Sequence, residues 1–268
     1  MKDRILIFIP MYNCEKQIPR VLERISQVEN YKDIFTEIIV VDNQSKDNSI
    51  AVAKETIEKL KLPAKVLRNR ENRSLGGSHK TAFLYAIENG FDYVIVLHGD
   101  DQGDIHDIVP FILDGTYRKY DSFLGSRFHK ESKLINYSKF RIFGNHVFNA
   151  VVSVLIGKRI TDLGSGLNMY KTEYLKPKFY MPFANNLTFN VYLLLYGVYS
   201  KSDFTFFPLT WKEDDQVSNA KLFSQSKEIL GLTLKYAFGA NKVFARKDNE
   251  FSAMTYDYDT VCDNVRGE

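Results

Sequence analysis

Short apolar runs alternate with longer amphipathic stretches through the first hundred residues. ILIFIP (5–10) predicts a buried strand closed by proline, after which Ile18, Leu22 and Ile25 recur at helical spacing. EIIVVD (37–42) predicts a second strand, and 47–60 a helix capped from SKDNS. KVLRN (65–69) reads as a third strand, 74–89 as a helix stopped by Gly90, and DYVIVLH (92–98) as a fourth strand. Strands alternating with helices imply βαβ units, hence an α/β fold whose mainly parallel sheet is covered on both faces. In such sheets ligands bind beyond the carboxyl ends of the strands. Those ends carry PMYN (10–13), DNQS (42–45) and HGDD (98–101), so polar chemistry gathers where a ligand would sit.

The second half is less regular. SFLGSRF (122–128) predicts a strand, and 139–157 a helix with Phe140, Phe143, Val147, Val151 and Leu155 on one face. Arg141, Asn145, Asn149 and Ser153 fall along another face of that helix. TDLGSGLNMY (161–170) reads as a loop leading into a short strand, 186–196 as a helix, FTFFPLTW (204–211) as a strand and 221–238 as a helix. With no repeat and no linker, one domain over 1–240 with a C-terminal appendage over 241–268 is expected.

Charge sharpens this picture more by its placement than by its sum. The net charge of +3 over 268 residues is too small to imply nucleic acid. Between Thr116 and Thr161, however, nine Lys or Arg face only Asp121 and Glu131, which suggests an anionic partner or a solvated basic face. From Asp248 to Asp263 five acids stand without Lys or Arg, so 241–268 reads as an acidic tail. Cys14 and Cys262 form no disulfide framework and no metal spacing, making a cytoplasmic setting the default. The run at 5–9 is too short for a signal peptide or a membrane span, and 140–156 is interrupted by Arg141, Asn145, Asn149 and Ser153, so no transmembrane helix is expected.

Seven segments then occur in a telling order: IPMYNCEKQIPRVLERI, IIVVDNQSKDNS, NRSLGGSHKTAFLYAIENG, VIVLHGDDQGD, GSRF, TDLGSGLNMY and WKEDDQVSNAK. Together, over roughly residues 4–236, they resemble a family-two glycosyltransferase of the GT-A fold, nearest to the polyprenyl-phosphate (dolichyl-phosphate mannose synthase-like) branch. The resemblance implies transfer of a sugar from a nucleotide diphosphate donor such as a UDP- or GDP-sugar, with inversion and with Mg²⁺ or Mn²⁺. On that pattern 1–115 is the nucleotide-sugar half and 116–240 the acceptor half.

The resemblance also implies roles. Asp42 would accept hydrogen bonds from the base, as an acceptor-only carboxylate can, or would merely cap its turn. Pro10, Tyr12 and Asn13 would frame the same pocket, with Gly99 beside it and Asn43 as a further polar contact. Gly76, Gly77 and Lys80 open a helix beside the donor, where paired glycines allow close backbone approach and a helix start favours anions, unless they form only a tight turn. In LHGDDQGD, Gln102 aligns with the family's glutamine, placing Asp100 on the second metal-gripping aspartate and His98 on the first. Hard cations take oxygen ligands, so Asp100 is the leading metal ligand and Asp101 its stand-in, while Asp104 reads as a cap. His98 has three readings: a contact to the diphosphate, an imidazole ligand better suited to Mn²⁺ than Mg²⁺, or a strand end.

Arg127 matches the arginine of the family's GSR and would counter phosphate charge, or form a structural ion pair. Asp162 would orient the acceptor or act as base, with Ser126, Ser165 and Gly166 also on the acceptor side and Trp211 either packing on the acceptor or filling core. Lys221 would neutralise the departing diphosphate or stand as a solvated helix lysine. The expected enzyme passes sugar to a polyprenyl phosphate or similar lipid-linked acceptor, peripheral at the inner face of the membrane, with self-association compatible. The rival readings are a cell-surface polysaccharide transferase using a sugar hydroxyl and a non-catalytic nucleotide-sugar binding module.

Overall fold

The alternation of the first half is realised element by element. The computed structural model describes residues 2–214, 222–244 and 249–265. In chain order it contains β1 (Ile5–Met11), α1 (Ile18–Gln27), α2 (Tyr31–Ile34), β2 (Glu37–Asp42), α3 (Ser49–Leu60), β3 (Ala64–Asn69), α4 (Ser74–Glu88) and β4 (Tyr93–Leu97). There follow α5 (Val109–Leu113), β5 (Ser122–Ser126), β6 (Lys133–Ile135), α6 (Lys139–Ile156), β7 (Leu167–Lys171) and α7 (Thr172–Leu175). The described chain closes with α8 (Phe189–Ser200), β8 (Phe204–Pro208), β9 (Thr210–Lys212), α9 (Leu222–Ala237), α10 (Ala240–Phe244) and β10 (Tyr258–Asp263).

Eight strands form one sheet in the order β10-β3-β2-β1-β4-β7-β5-β8, and β6 pairs with β9 in a small second ribbon. β1 lies parallel to β2 and β4, and β2 parallel to β3. β7 then runs antiparallel to both β4 and β5, and β8 parallel to β5. The reversal at β7 positions the site. The start of β7 is brought beside the carboxyl ends of β4 and β5, so three loops far apart in sequence meet at one point of the sheet.

All seven residues of β1 are buried, because helices cover both of its faces. Ile5, Ile7 and Ile9 join one core with Ile18, Leu22 and Ile25 of α1 and Ile57 of α3. Leu6 and Phe8 join the opposite core with Phe83 of α4, Phe189 of α8 and Leu232 of α9. Each such fully buried side chain contributes roughly 2 kcal/mol, so β1 is the centre of the fold. α1 forms because its apolar residues recur at i, i+3, i+4 and i+7 behind a proline in its first turn.

The chain beyond 240 is not an appendage. β10 pairs antiparallel with β3, Tyr258 opposite Asn69 and Thr260 opposite Leu67, and completes one edge of the sheet. Asp259 and Asp263 of the acidic run belong to this edge strand, where alternate side chains face water. Among the described residues no helix is long and apolar enough to cross a membrane.

Candidate active site

The end of β4 supplies the centre of the site. The His98 amide donates to the Gly166 carbonyl at 2.8 Å, tying this strand end to the loop before β7. Gly166 leaves room for the imidazole, since a Cβ there would sit 3.0 Å from His98 Cγ and push on the ring. Gly99 meets the end of β1, where a Cβ would lie 2.9 Å from the Pro10 carbonyl oxygen. Both glycines therefore serve close backbone approach, and the second brings the β1 loop against the acidic one.

Asp100 is about one-fifth exposed, and its Oδ1 accepts a turn hydrogen bond from the Gln102 amide at 3.2 Å. Burial, together with the neighbouring Asp101 charge, pushes its carboxyl up to about 6. His98 Nδ1 lies 4.0 Å from Asp100 Oδ2, too far for a hydrogen bond, and its buried Nε2 has no partner among the described residues. Burial, then the nearby Arg127 charge, lowers the imidazole to about 4, so it stands neutral at physiological pH. A desolvated carboxylate and a neutral imidazole form a donor set suited to a divalent cation that arrives with its own phosphate oxygens. They do not make a self-sufficient cage: no group of three His, Cys, Asp or Glu is placed to hold a metal among the described residues.

Asp101 does not share this role. Its backbone takes a left-handed conformation (φ 63°), which swings the carboxylate to α1, where Arg20 Nε lies at 2.6 Å and Arg24 Nη2 at 3.2 Å. The two arginines occupy it as an ion pair, so the stand-in metal ligand is excluded. Asp104 caps the following 3-10 turn by accepting from the His106 amide.

Arg127 was expected either to counter phosphate charge or to form a structural ion pair, and the structure pairs it with Asp162. Arg127 Nε and Nη2 donate to Asp162 Oδ2 and Oδ1 at 2.8 and 2.7 Å, and the Arg127 amide adds a third bond to Oδ2 at 2.9 Å. Burial opposes the guanidinium charge, but Asp162 outweighs it and holds Arg127 firmly protonated. The guanidinium lies over the Trp211 ring, 5.2 Å from its centroid. Its Nη1 makes no hydrogen bond among the described residues, leaving one donor edge for an anion. Asp162 is 3% exposed, with both oxygens engaged, so it does not stand ready as a base.

Several other expectations are corrected. Lys80 is fully buried and points away from any donor. Its Nζ donates to the carbonyls of Met181 and Phe183, to Asn185 Oδ1 and to the Tyr256 hydroxyl at 2.6–3.0 Å. Gly76 and Gly77 answer packing instead of a ligand: a Cβ at Gly76 would lie 2.8 Å from the Asn185 carbonyl, and at Gly77 2.2 Å from Arg73 Cβ. Asp42 is wholly buried, accepts from the Gln44 and Ser45 amides and lies 3.7 Å from Arg68 Nε, so turn-capping describes it and a base cannot reach it in this conformation. Burial raises its carboxyl, with the Ser45 hydrogen bonds acting in the other direction.

Asn43 is likewise committed, bonded to Asn69, Asn72 and the Arg73 amide. Ser126 is buried as a turn residue accepting from the Phe128 amide, and Ser165 bonds the Leu167 carbonyl within its own loop. Trp211, 4% exposed, is core beneath Arg127. Lys221 lies outside the described residues. Tyr12 and Asn13 stand open at the end of β1, with the Asn13 amide bonded to Ser45 Oγ and its side chain accepting from the Lys46 amide. Arg68, half exposed at the end of β3, lies beside Asp42 and donates to Gln44 Oε1 at 3.1 Å, a placement that a lone arginine in a strand does not announce.

Residues 6–177 match the model of glycosyl transferase family 2, more than half of the chain. The chain belongs to glycosyl transferase family 2. This family 2 enzyme is 28% identical over 188 residues to a UDP-N-acetylglucosamine–dolichyl-phosphate N-acetylglucosaminyltransferase of Methanococcus voltae, covering 66% of this chain and 73% of the relative. It is 25% identical over 173 residues to an undecaprenyl-phosphate mannosyltransferase of Micrococcus luteus, covering 65% and 68% respectively. Among solved structures it is similar to glucosyl-3-phosphoglycerate synthase from Mycobacterium tuberculosis in complex with Mn²⁺, UDP and glucosyl-3-phosphoglycerate. That likeness has a TM-score of 0.64 at 17% identity, covers 88% of this chain and 80% of that one, and concerns the fold. The family 2 glycosyltransferase thus has a GT-A sheet and relatives in the polyprenyl-phosphate branch.

Proposed function

We propose that this glycosyltransferase moves a sugar, with inversion, from a UDP- or GDP-sugar to a polyprenyl phosphate or similar lipid-borne phosphate. The observation that carries the acceptor class is the Arg127–Asp162 pair. A sugar hydroxyl needs a base as it attacks, whereas a phosphate monoester is already ionised. With both Asp162 oxygens held by Arg127, the acceptor side favours a nucleophile that brings its own negative charge. The free edge of Arg127 supplies the donor that such a phosphate needs.

The roles of the chain follow. Tyr12 and Asn13, just past β1, and Arg68, at the end of β3, would flank the nucleotide. Asp100 and His98 would hold Mg²⁺ or Mn²⁺ on the diphosphate, and that cation would supply charge neutralisation to the leaving group. An acceptor phosphate oxygen bonds to the anomeric carbon as the bond to the donor's β-phosphate oxygen breaks, releasing the nucleoside diphosphate. Arg127 screens the two phosphates from each other during that exchange.

Nucleotide-dependent thermal shift tests the assignment directly. UDP or GDP at about one hundred times Kd should raise Tm by on the order of 5 °C with Mn²⁺ or Mg²⁺ and by much less without metal. Asp100→Ala should erase the metal-dependent part. A variant that kept the whole shift would remove Asp100 from the metal site, and a wild type stabilised by neither nucleotide would end the transferase reading.

A further inference from the structure

α6 presents one apolar stripe to solvent, while its Val152 and Ile156 are buried and its Phe148 and Leu155 pack against the core. Its polar stripe points inward, where Asn149 Nδ2 donates to the Thr161 carbonyl at 2.7 Å and the Ile160 amide donates to Ser153 Oγ at 2.9 Å. Arg141 pairs with Glu213 at 2.6 Å on the same side. Outward stand Phe140 (84% exposed), Phe143 (68%), Val147, Val151 and Val154 (82%), with Gly144 and Ala150 between them. An exposed apolar stripe of this length on a helix of 18 residues is unusual for a surface that meets only water.

The charges around the stripe identify what covers it. From Ser132 to Thr161 the chain has five cations and no acid. Lys133 and Lys139 are exposed at the start of the helix, and Lys158 and Arg159 are exposed just past its end. Two copies paired through this stripe would set cationic end against cationic end in either orientation, which disfavours a dimer. An anionic bilayer surface matches both features, apolar side chains entering the acyl boundary and lysines meeting headgroups.

We propose that α6 is a membrane-docking helix that lies in the interface of an anionic lipid surface on its Phe140–Val154 stripe. This rests on, and deepens, the lipid-phosphate reading above, because the inner face of the same helix is bonded to residues 160 and 161, directly before Asp162. Docking through α6 therefore brings the loop of the Arg127–Asp162 pair to the headgroup layer, where a lipid-borne phosphate resides.

Flotation of the full chain with vesicles tests this without reference to activity. Binding is expected to vesicles of phosphatidylcholine mixed with phosphatidylglycerol, and to fall with added salt. The double variant Phe140→Ser/Phe143→Ser should lose about tenfold or more of that binding. Lys158→Glu/Arg159→Glu should weaken it for the charged vesicles in particular. Both variants should keep the wild-type Tm, since these side chains are exposed, and keep the nucleotide-dependent thermal shift. A wild type that never floats, or a Phe140→Ser/Phe143→Ser variant that floats as well as wild type, overturns the proposal. A lipid-independent dimer dissolved by that variant would assign the face to a second copy. Loss of the nucleotide shift in the wild type would strike the transferase reading and leave the docking result standing.

Discussion

At the scale of single residues, the acceptor side of the site is decided by one ion pair. Asp162 is nearly inaccessible and Arg127 mostly so, and three hydrogen bonds join them. Removing the charge of one member leaves the other buried without compensation, which is far costlier than losing a surface pair. Asp162→Asn should therefore lower unfolding stability by about 3 kcal/mol in urea titration. An unchanged midpoint would mean that the guanidinium finds another counter-charge. Motif order could point to Arg127 and Asp162 as important, but not to their embrace. They are separated by 35 positions, and only the antiparallel placement of β7 between β4 and β5 closes that distance.

At the scale of elements, α4 shows why a motif at a helix start is ambiguous. Ser74 to Lys80 has the glycines and the lysine of an anion site, yet the segment 184–189 lies against this end of the helix. The Gly76 amide donates to the Asn185 carbonyl at 2.6 Å, and Lys80 gathers four oxygen acceptors from 181–185 and Tyr256. Lys80 is thus a strut joining α4 to the loop before α8 and to the chain preceding β10. Lys80→Met keeps most of the volume but strands those acceptors, and should cost about 2 kcal/mol of stability while donor affinity is retained. Calorimetric titration with the nucleotide checks this, and a large loss of affinity in a stably folded variant would return Lys80 to the donor site. α6 is the other instructive element. Its helical period was plain in the sequence, but periodicity cannot tell which face meets the protein, and here Asn149 and Ser153 turn inward with Val152 and Ile156 while the Phe140–Val154 stripe turns out.

At the scale of the whole molecule, two apolar cores flank the sheet, and a titratable group is sealed into one of them. His79 is fully buried among Phe8, Phe83 and Phe189, with Nδ1 bonded to the Leu75 carbonyl at 2.9 Å. A carbonyl only accepts, so Nδ1 carries a proton, and burial keeps Nε2 unprotonated and the ring neutral. Burial lowers its pKa to about 3. The unfolded chain takes up a proton near pH 6.5 and the folded chain does not, so stability falls as pH drops below that value. Between pH 7 and pH 5 this one group should cost about 2 kcal/mol, and His79→Phe should abolish that share of the loss in paired urea titrations. Equal losses in the two proteins would show that His79 is not the acid-sensitive group. From its sequence alone the chain shows the strand–helix alternation of its first half, a family resemblance to the GT-A class and the acidic β4 end. Those follow from local periodicity and from short motifs carried on adjacent residues. The tertiary structure alone decided that β10 closes the sheet edge, that Asp101 belongs to α1, that Arg127 holds Asp162, and that α6 faces outward. Each of these depends on which distant side chain becomes a neighbour, and burial and pairing energies are set by neighbours in space.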